Sequence, residues 1–127
     1  MELIEKAKAA MEKAYAPYSG YKVGAALQCS DGSIFVGCNI ENAAFSPTIC
    51  AERAAFAAAV SAGKREFTAI AVCGGKDGKI QGVFPPCGVC RQVMREFCSD
   101  DFKVYLITEN GYEETTLGAL LPQSFTL

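Results

Sequence analysis

The sequence predicts a single α/β domain, a mixed five-stranded sheet flanked by helices, and three observations carry that prediction. Segments of helical and of strand character follow one another in the order α-β-β-α-β-α-β-β, the alternation expected of a layered α/β sandwich. The 127 residues, half of them apolar, suffice for one sizeable core and place residues 1–127 in one domain. No linker, repeat or low-complexity tract divides them.

Glu2 to Tyr15 sets Leu3, Ile4, Ala7, Met11, Ala14 and Tyr15 in the spacing of an amphipathic helix, with a Glu/Lys stripe for solvent and Pro17 as its stop. Lys22 to Cys29 and Ile34 to Cys38 read as strands, joined through Ser30-Asp31-Gly32-Ser33, whose Asp-Gly is a strong hairpin signal. After a loop containing Pro47, the Ala-rich run Cys50 to Ala62 suits only a helix, with Gly63 placed to end it. Phe67 to Cys73 is an apolar, partly β-branched strand, and Gly74 to Gly78 has the composition of a loop. Pro85 and Pro86 precede a helix over about Gly88 to Cys98, Pro86 lying near the position where proline opens helices well. Lys103 to Thr108 and Tyr112 to Thr116 are strands around the turn Glu109-Asn110-Gly111, and Thr116 to Leu121 makes a last helical turn or two.

Composition narrows the function. A net charge of -2 with scattered Lys and Arg lacks the basic face that polymeric nucleic acid requires, which favours a small substrate. The opening Met1-Glu2-Leu3-Ile4-Glu5-Lys6 mixes charges before any apolar run, unlike a secretory leader, and no stretch approaches the roughly 18 apolar residues of a membrane span. The expectation is a cytoplasmic protein with no membrane partner. Seven cysteines, an odd number, suit metal ligands and buried thiols in a reducing compartment better than a disulfide framework. Cys29, Cys38, Cys73 and Cys98 belong to no paired motif and read as buried small residues.

Two short motifs carry the chemistry. In "CAER", Cys50 to Arg53, positions two apart on a regular helix point about 200° apart, so Cys50 and Glu52 share a site only if Cys50 lies at the helix entrance. In "PPCGVCRQ", Cys87 and Cys90 lie three apart and fall on one helix face. Both motifs set thiols at helix N-termini, where the helix dipole and free amides favour the thiolate that a metal needs. Structural zinc is closed by four protein ligands, whereas catalytic zinc keeps one position for water. The chain contains no histidine, and Cys50, Cys87 and Cys90 make a plausible open zinc site; Cys73 and Cys98 stay available to sequence reasoning as a fourth ligand. Three thiolates leave Zn2+ with net charge -1, which calls for a hydrogen-bonding cation. Arg53 suits that task, while Arg91 reads as a solvated helix arginine. A zinc-stabilised binding module, or a redox dithiol at Cys87 and Cys90, are the competing readings.

With these residues the sequence resembles the zinc-dependent nucleoside and nucleobase deaminases, whose signature is ligand-x-Glu followed downstream by Pro-Cys-x-x-Cys. "GCNIENAAF" and "LLPQSF" look like the small homotetrameric cytidine deaminases, and the likeness runs from "APYSGYKVGAAL" to Phe125. The resemblance implies a cytidine deaminase-like layer sandwich and one Zn2+ per chain on Cys50, Cys87 and Cys90, with Glu52 as proton shuttle. It further implies that Asn39 and Glu41 bind the ribose hydroxyls, that Phe125 stacks on the pyrimidine across a subunit boundary, and that Tyr21 packs beside the substrate where the family most often has Phe. Phe45 stands where Tyr is expected. The backbone at Ala51 is placed to orient the ring carbonyl. The implied reaction is hydrolytic deamination of cytidine and 2'-deoxycytidine to uridine and 2'-deoxyuridine with release of ammonia, in pyrimidine salvage. The implied assembly is a homotetramer with shared active sites.

Overall fold

The computed structural model describes residues Met1–Leu127. Its elements are α1 (Glu2–Met11), β1 (Tyr21–Cys29), β2 (Ile34–Cys38), α2 (Ala51–Ser61), β3 (Phe67–Lys76), α3 (Gly88–Phe97), β4 (Lys103–Thr108), β5 (Gly111–Thr116) and α4 (Leu117–Leu120). The strands form one sheet in the order β2-β1-β3-β4-β5. Only β3 and β4 run parallel; the other neighbours are antiparallel. The α3 segment provides the crossover that a parallel pair needs.

Side-chain alternation along the strands splits the interior into two layers. On β3, Ala69, Ala71 and Cys73 face α1 and pack with Leu3, Ile4, Ala7 and Met11. Ile70 and Val72 face the other way, onto Ala55, Phe56 and Ala59 of α2 and Met94 of α3. Because the sheet is covered on both faces, β3 is apolar without alternation over Ala69–Gly75. Within this second layer, Phe56 packs against Phe67, Phe97 and Phe102 with ring centroids 5.1 to 6.5 Å apart. No helix is long and apolar enough to cross a membrane.

Two glycines set the helices unusually close to the sheet. A Cβ on Gly24 would lie 2.2 Å from the Ala7 carbonyl oxygen, and one on Gly37 would lie 2.5 Å from both the Ala51 carbonyl oxygen and the Ala55 nitrogen. Helix α1 therefore lies directly on β1, and the first turn of α2 directly on β2. The second contact fixes where α2 begins, which is where the chemistry lies.

Two boundaries differ from the sequence expectation. Helix α1 ends at Met11 instead of continuing to Tyr15, because Tyr15 is recruited elsewhere: its N–H donates to the Asn39 carbonyl, and its own carbonyl accepts from Glu41 N–H. Strand β3 continues through Gly74 and Gly75 to Lys76, since β1 begins at Tyr21 and pairs it with Lys76. The ladder partner overrides the loop preference of the glycines. The Asp-Gly hairpin forms as expected, with Gly32 at φ 91° and the Asp31 carboxylate accepting from Ser33 N–H.

Candidate active site

Cys50 is the residue just outside α2, with extended backbone (φ -77°, ψ 155°), and Cys87 occupies the equivalent place before α3 (φ -68°, ψ 167°). Pro86 thus lies two positions before the first helical residue, Gly88, one further out than Cys87. Because Cys50 is non-helical, its side chain escapes the angular separation that a regular helix would impose, and it meets Glu52 at one cavity. The sulfurs of Cys50 and Cys87 are 3.8 Å apart and those of Cys87 and Cys90 are 3.4 Å apart, and all three lie within 4.8 Å of one another. Tetrahedral zinc with Zn–S bonds of about 2.3 Å requires sulfurs about 3.8 Å apart, so the three thiols fit one zinc ion. No fourth cysteine or carboxylate joins the group. Cys73 and Cys98 are buried elsewhere, pushed up to about 11 and about 12 by burial, and Cys38 is only half-buried.

The thiols share protons unequally. Hydrogen bonding from Cys90, together with Arg53 and Cys87, lowers Cys50 to about 5, while the same Cys50 contact and burial push Cys90 up. Arg53 Nη2 lies 3.5 Å from Cys50 Sγ and 3.5 Å from the Thr48 carbonyl oxygen. The guanidinium therefore reaches the ligand sulfur, as the charge argument required. Arg91 departs from its expected solvated role: its Nε donates to the Pro86 carbonyl and its Nη1 to the Leu120 carbonyl, both at 2.7 Å. A planar fork can bridge two carbonyls that no sequence pattern relates, and this one ties the approach to Cys87 to the C-terminal segment.

Glu52 is 4% exposed. Burial first, and the charge of Cys50 in addition, raise its carboxyl to about 7. It lines a cavity of about 190 Å³ with Cys50, Ala51, Cys87 and Asn39. Val23, Thr48, Ile49, Phe84 and Pro85 complete the walls. Sequence reasoning missed these five because lone strand and loop residues, four of them apolar and one Thr48, carry no mark of what they face.

Asn39 is locked in place, its Nδ2 donating to the Tyr21 carbonyl and its Oδ1 accepting from Val23 N–H, both at 2.8 Å. Reciprocal backbone bonds between Ile40 and Ile49 hold this segment beside Cys50. Glu41 lines a neighbouring, more open depression with Tyr18, Ser19, Asn42, Phe45 and Thr48, the last shared with the first cavity. Its Oε1 accepts from Tyr18 N–H at 2.9 Å and Ser19 N–H at 3.1 Å, and its Oε2 from the Ser19 hydroxyl. The Ser19 hydroxyl is the largest cause holding this carboxyl below its usual range. Glu41 and Glu52 are the carboxyl side chains lining the two depressions, and no Lys or Arg lines either.

Tyr21 and Phe125 do not line the cavity of this chain, the second being expected to act across a subunit boundary. Tyr21 is outside the cavity lining, its ring centroid 5.9 Å from that of Phe84. Phe125 is 69% exposed and absent from its own chain's cavity, with its carbonyl 3.4 Å from Gln92 Nε2.

A sequence model of the family described as "Cytidine and deoxycytidylate deaminase zinc-binding region" matches residues 1–106. The chain is 52% identical over 126 residues to the cytidine deaminase of Sporosarcina psychrophila, covering 98% of this chain and 90% of that protein. Among solved structures, the cytidine deaminase of Burkholderia pseudomallei superposes with a TM-score of 0.90 at 50% identity, over 98% of this chain and 97% of that one. The cytidine deaminase of Mycobacterium tuberculosis gives 0.83 at 36% identity, over 99% and 96%.

Proposed function

Since the chain belongs to the family of cytidine and deoxycytidylate deaminases, we propose that it is a zinc-dependent hydrolase of cytidine and 2'-deoxycytidine. The products are uridine or 2'-deoxyuridine and ammonia, a cytoplasmic reaction of pyrimidine salvage. The observation that carries this reading is a three-thiol metal cluster, without a fourth protein ligand, sharing one cavity with the buried carboxyl of Glu52. A closed structural zinc site would need four protein ligands and no such neighbour. The catalytic unit is the whole chain, residues 1–127.

Zinc on Cys50, Cys87 and Cys90 supplies Lewis acidity that brings the ionisation of water toward neutral pH. Glu52 takes the proton as the water oxygen adds to C4, and delivers it to N3. The remaining proton of the added hydroxyl then passes through the same carboxyl to the amino nitrogen, and as the C4–N bond breaks the hydroxyl oxygen becomes the C4 carbonyl and ammonia leaves. A group near 7 both accepts and releases a proton at neutral pH, so burial equips one carboxyl to serve as base and then acid. Arg53 offsets the excess thiolate charge that would otherwise weaken the metal's acidity. The amide at Ala51, at the start of α2, orients the ring carbonyl.

Asn39 and Glu41 bind the sugar. The contacts of Asn39 with β1 fix its orientation and leave one N–H and one lone pair for a hydroxyl; Glu41, with three donors placed, keeps lone-pair capacity for another. Carboxylates without a lining cation disfavour phosphate, which supports nucleosides over nucleotides. Phe125, exposed and anchored through its backbone, serves a neighbouring subunit's cavity in a homotetramer.

The test is zinc per chain measured beside loss of the cytidine absorbance band and release of ammonia. One zinc per chain with uridine formed is the expected result; zinc without turnover of cytidine refutes the reading. Glu52→Ala is expected to keep zinc and lose turnover by at least the roughly 10²- to 10⁴-fold typical of general acid-base groups. Cytidine monophosphate is expected to be a poor substrate.

A further inference from the structure

We propose that Arg91 is a positioning residue of the metal site: it fixes the approach to Cys87 against α4, so that retention of zinc depends on the C-terminal segment of the chain. The inference rests on the zinc reading above and deepens it, through a residue that lines neither depression.

The approach to Cys87 has little else to hold it. Gly82 N–H donates to the Glu109 carboxylate at 2.8 Å, and the Cys87 carbonyl accepts from Arg91 N–H at 2.9 Å. Between those two groups the Pro86 carbonyl is the only backbone group with a hydrogen-bond partner, and that partner is Arg91 Nε. Pro85 and Pro86 bring no N–H of their own. Pro86 is buried while Cys87 is exposed, so loss of the Arg91 side chain leaves the carbonyl of a buried residue unpaired, one position before a metal ligand.

The other arm of the fork ends on a fixed point. Leu120 closes α4, whose first residue, Leu117, is buried and donates its N–H to the Phe102 carbonyl at 3.0 Å. Gly118 N–H donates to the Asp100 carbonyl at 3.0 Å, an approach so close that a Cβ on Gly118 would lie 2.9 Å from Asp100 Cβ. Arg91 forms no ion pair. Its guanidinium is committed to the carbonyls of Pro86 and Leu120, a span that the point charge of a lysine cannot reproduce. With three thiols and no fourth protein ligand, a displaced Cys87 would cost a third of the chain's hold on the ion.

The test loads the full-length protein with zinc, adds excess chromogenic chelator and follows zinc release, with thermal melting read in parallel. Arg91→Ala and Arg91→Lys are expected to release zinc about 10- to 100-fold faster than the parent, the range by which residues that orient a ligand change metal affinity. With zinc in excess they are expected to keep kcat within a few fold. Ile107→Val, in the layer facing α1, is expected to lower the melting temperature and leave zinc release unchanged, which separates positioning from general stability. Gly118→Ala, remote from the thiols, is expected to speed release in the parent by pressing α4 off Asp100, and to add little once Arg91 is Ala. Release from Arg91→Ala within twofold of the parent would overturn the proposal. So would equal acceleration in Ile107→Val, or a Gly118→Ala effect undiminished in the double variant. A parent that binds no zinc would overturn the metal reading and this inference with it. One that holds zinc without turning over cytidine would overturn the deaminase reading alone, since zinc release is followed without substrate.

Discussion

Replacing Glu52 with Gln should make the metal-free protein more stable while destroying its activity. In the fold, burial raises the Glu52 carboxyl from an ordinary 4.5 to about 7. At about 1.4 kcal/mol per tenfold in an ionisation equilibrium, that displacement corresponds to about 3 kcal/mol between the protonated and charged forms. The folded state holds its proton more tightly than the unfolded chain. This group's contribution to stability is therefore fully present below about pH 4.5 and is lost as pH rises through about 7. Gln is close to isosteric and cannot ionise, so the variant should escape the loss. The assay is thermal or urea unfolding of both proteins after chelation under reducing conditions, at pH 5 and pH 8. The expected gain for Glu52→Gln at pH 8 is about 3 kcal/mol, or on the order of 10 °C in melting temperature for a chain of this size, shrinking strongly at pH 5. A variant no more stable at pH 8, or a gain independent of pH, would refute the claim that an ionised, buried Glu52 strains the empty site.

Three further outcomes follow from the same geometry. Cys87→Ser should lose zinc, measured as metal per chain, and melt at lower temperature, because metal binding is coupled to folding; full zinc occupancy would remove Cys87 from the ligand set. Gly37→Ala should cost about 1–3 kcal/mol by denaturant unfolding and reduce turnover, since its Cβ meets backbone atoms of the turn that carries Cys50 and Glu52. After chelation, iodoacetamide at pH 7 should label Cys50, lowered to about 5, ahead of buried Cys73 and Cys98, held near 11 and 12; mass spectrometry would identify the order.

The metal cluster and the element order were legible in the sequence because both follow from local spacing. Cys50 at the entrance of α2 followed from the angular argument on the condition that it shares a site with Glu52, and the convergence of Cys87 with Cys90 from one turn of helix. The ends of elements were less legible. Tyr15 leaves α1 to pair with Asn39 and Glu41, and Gly74 and Gly75 stay in β3 because β1 supplies partners; both depend on segments distant in sequence. Arg91 illustrates the same limit, its two carbonyl acceptors lying 5 and 29 residues away. Tyr21 was assigned to the substrate by likeness of position, and Phe84, whose ring centroid lies 5.9 Å from that of Tyr21, lines the cavity without any mark in the local sequence. Phe125 is exposed and does not line its own chain's cavity, and a role across a subunit boundary leaves no mark in the spacing of a single sequence.

The spacing of the ligands along the chain has a consequence for folding as well as for catalysis. Cys50 and Cys87 are 37 residues apart in sequence, so an ion that binds both closes a loop spanning α2, β3 and the approach to α3. In the chain-entropy description of cross-links, such a closure removes about 4 kcal/mol of unfolded-state freedom. The ion acts as a clasp between the half of the chain that makes β1, β2 and α2 and the half that makes α3, β4 and β5. Withdrawing it silences the chemistry and unfastens the topology in a single step.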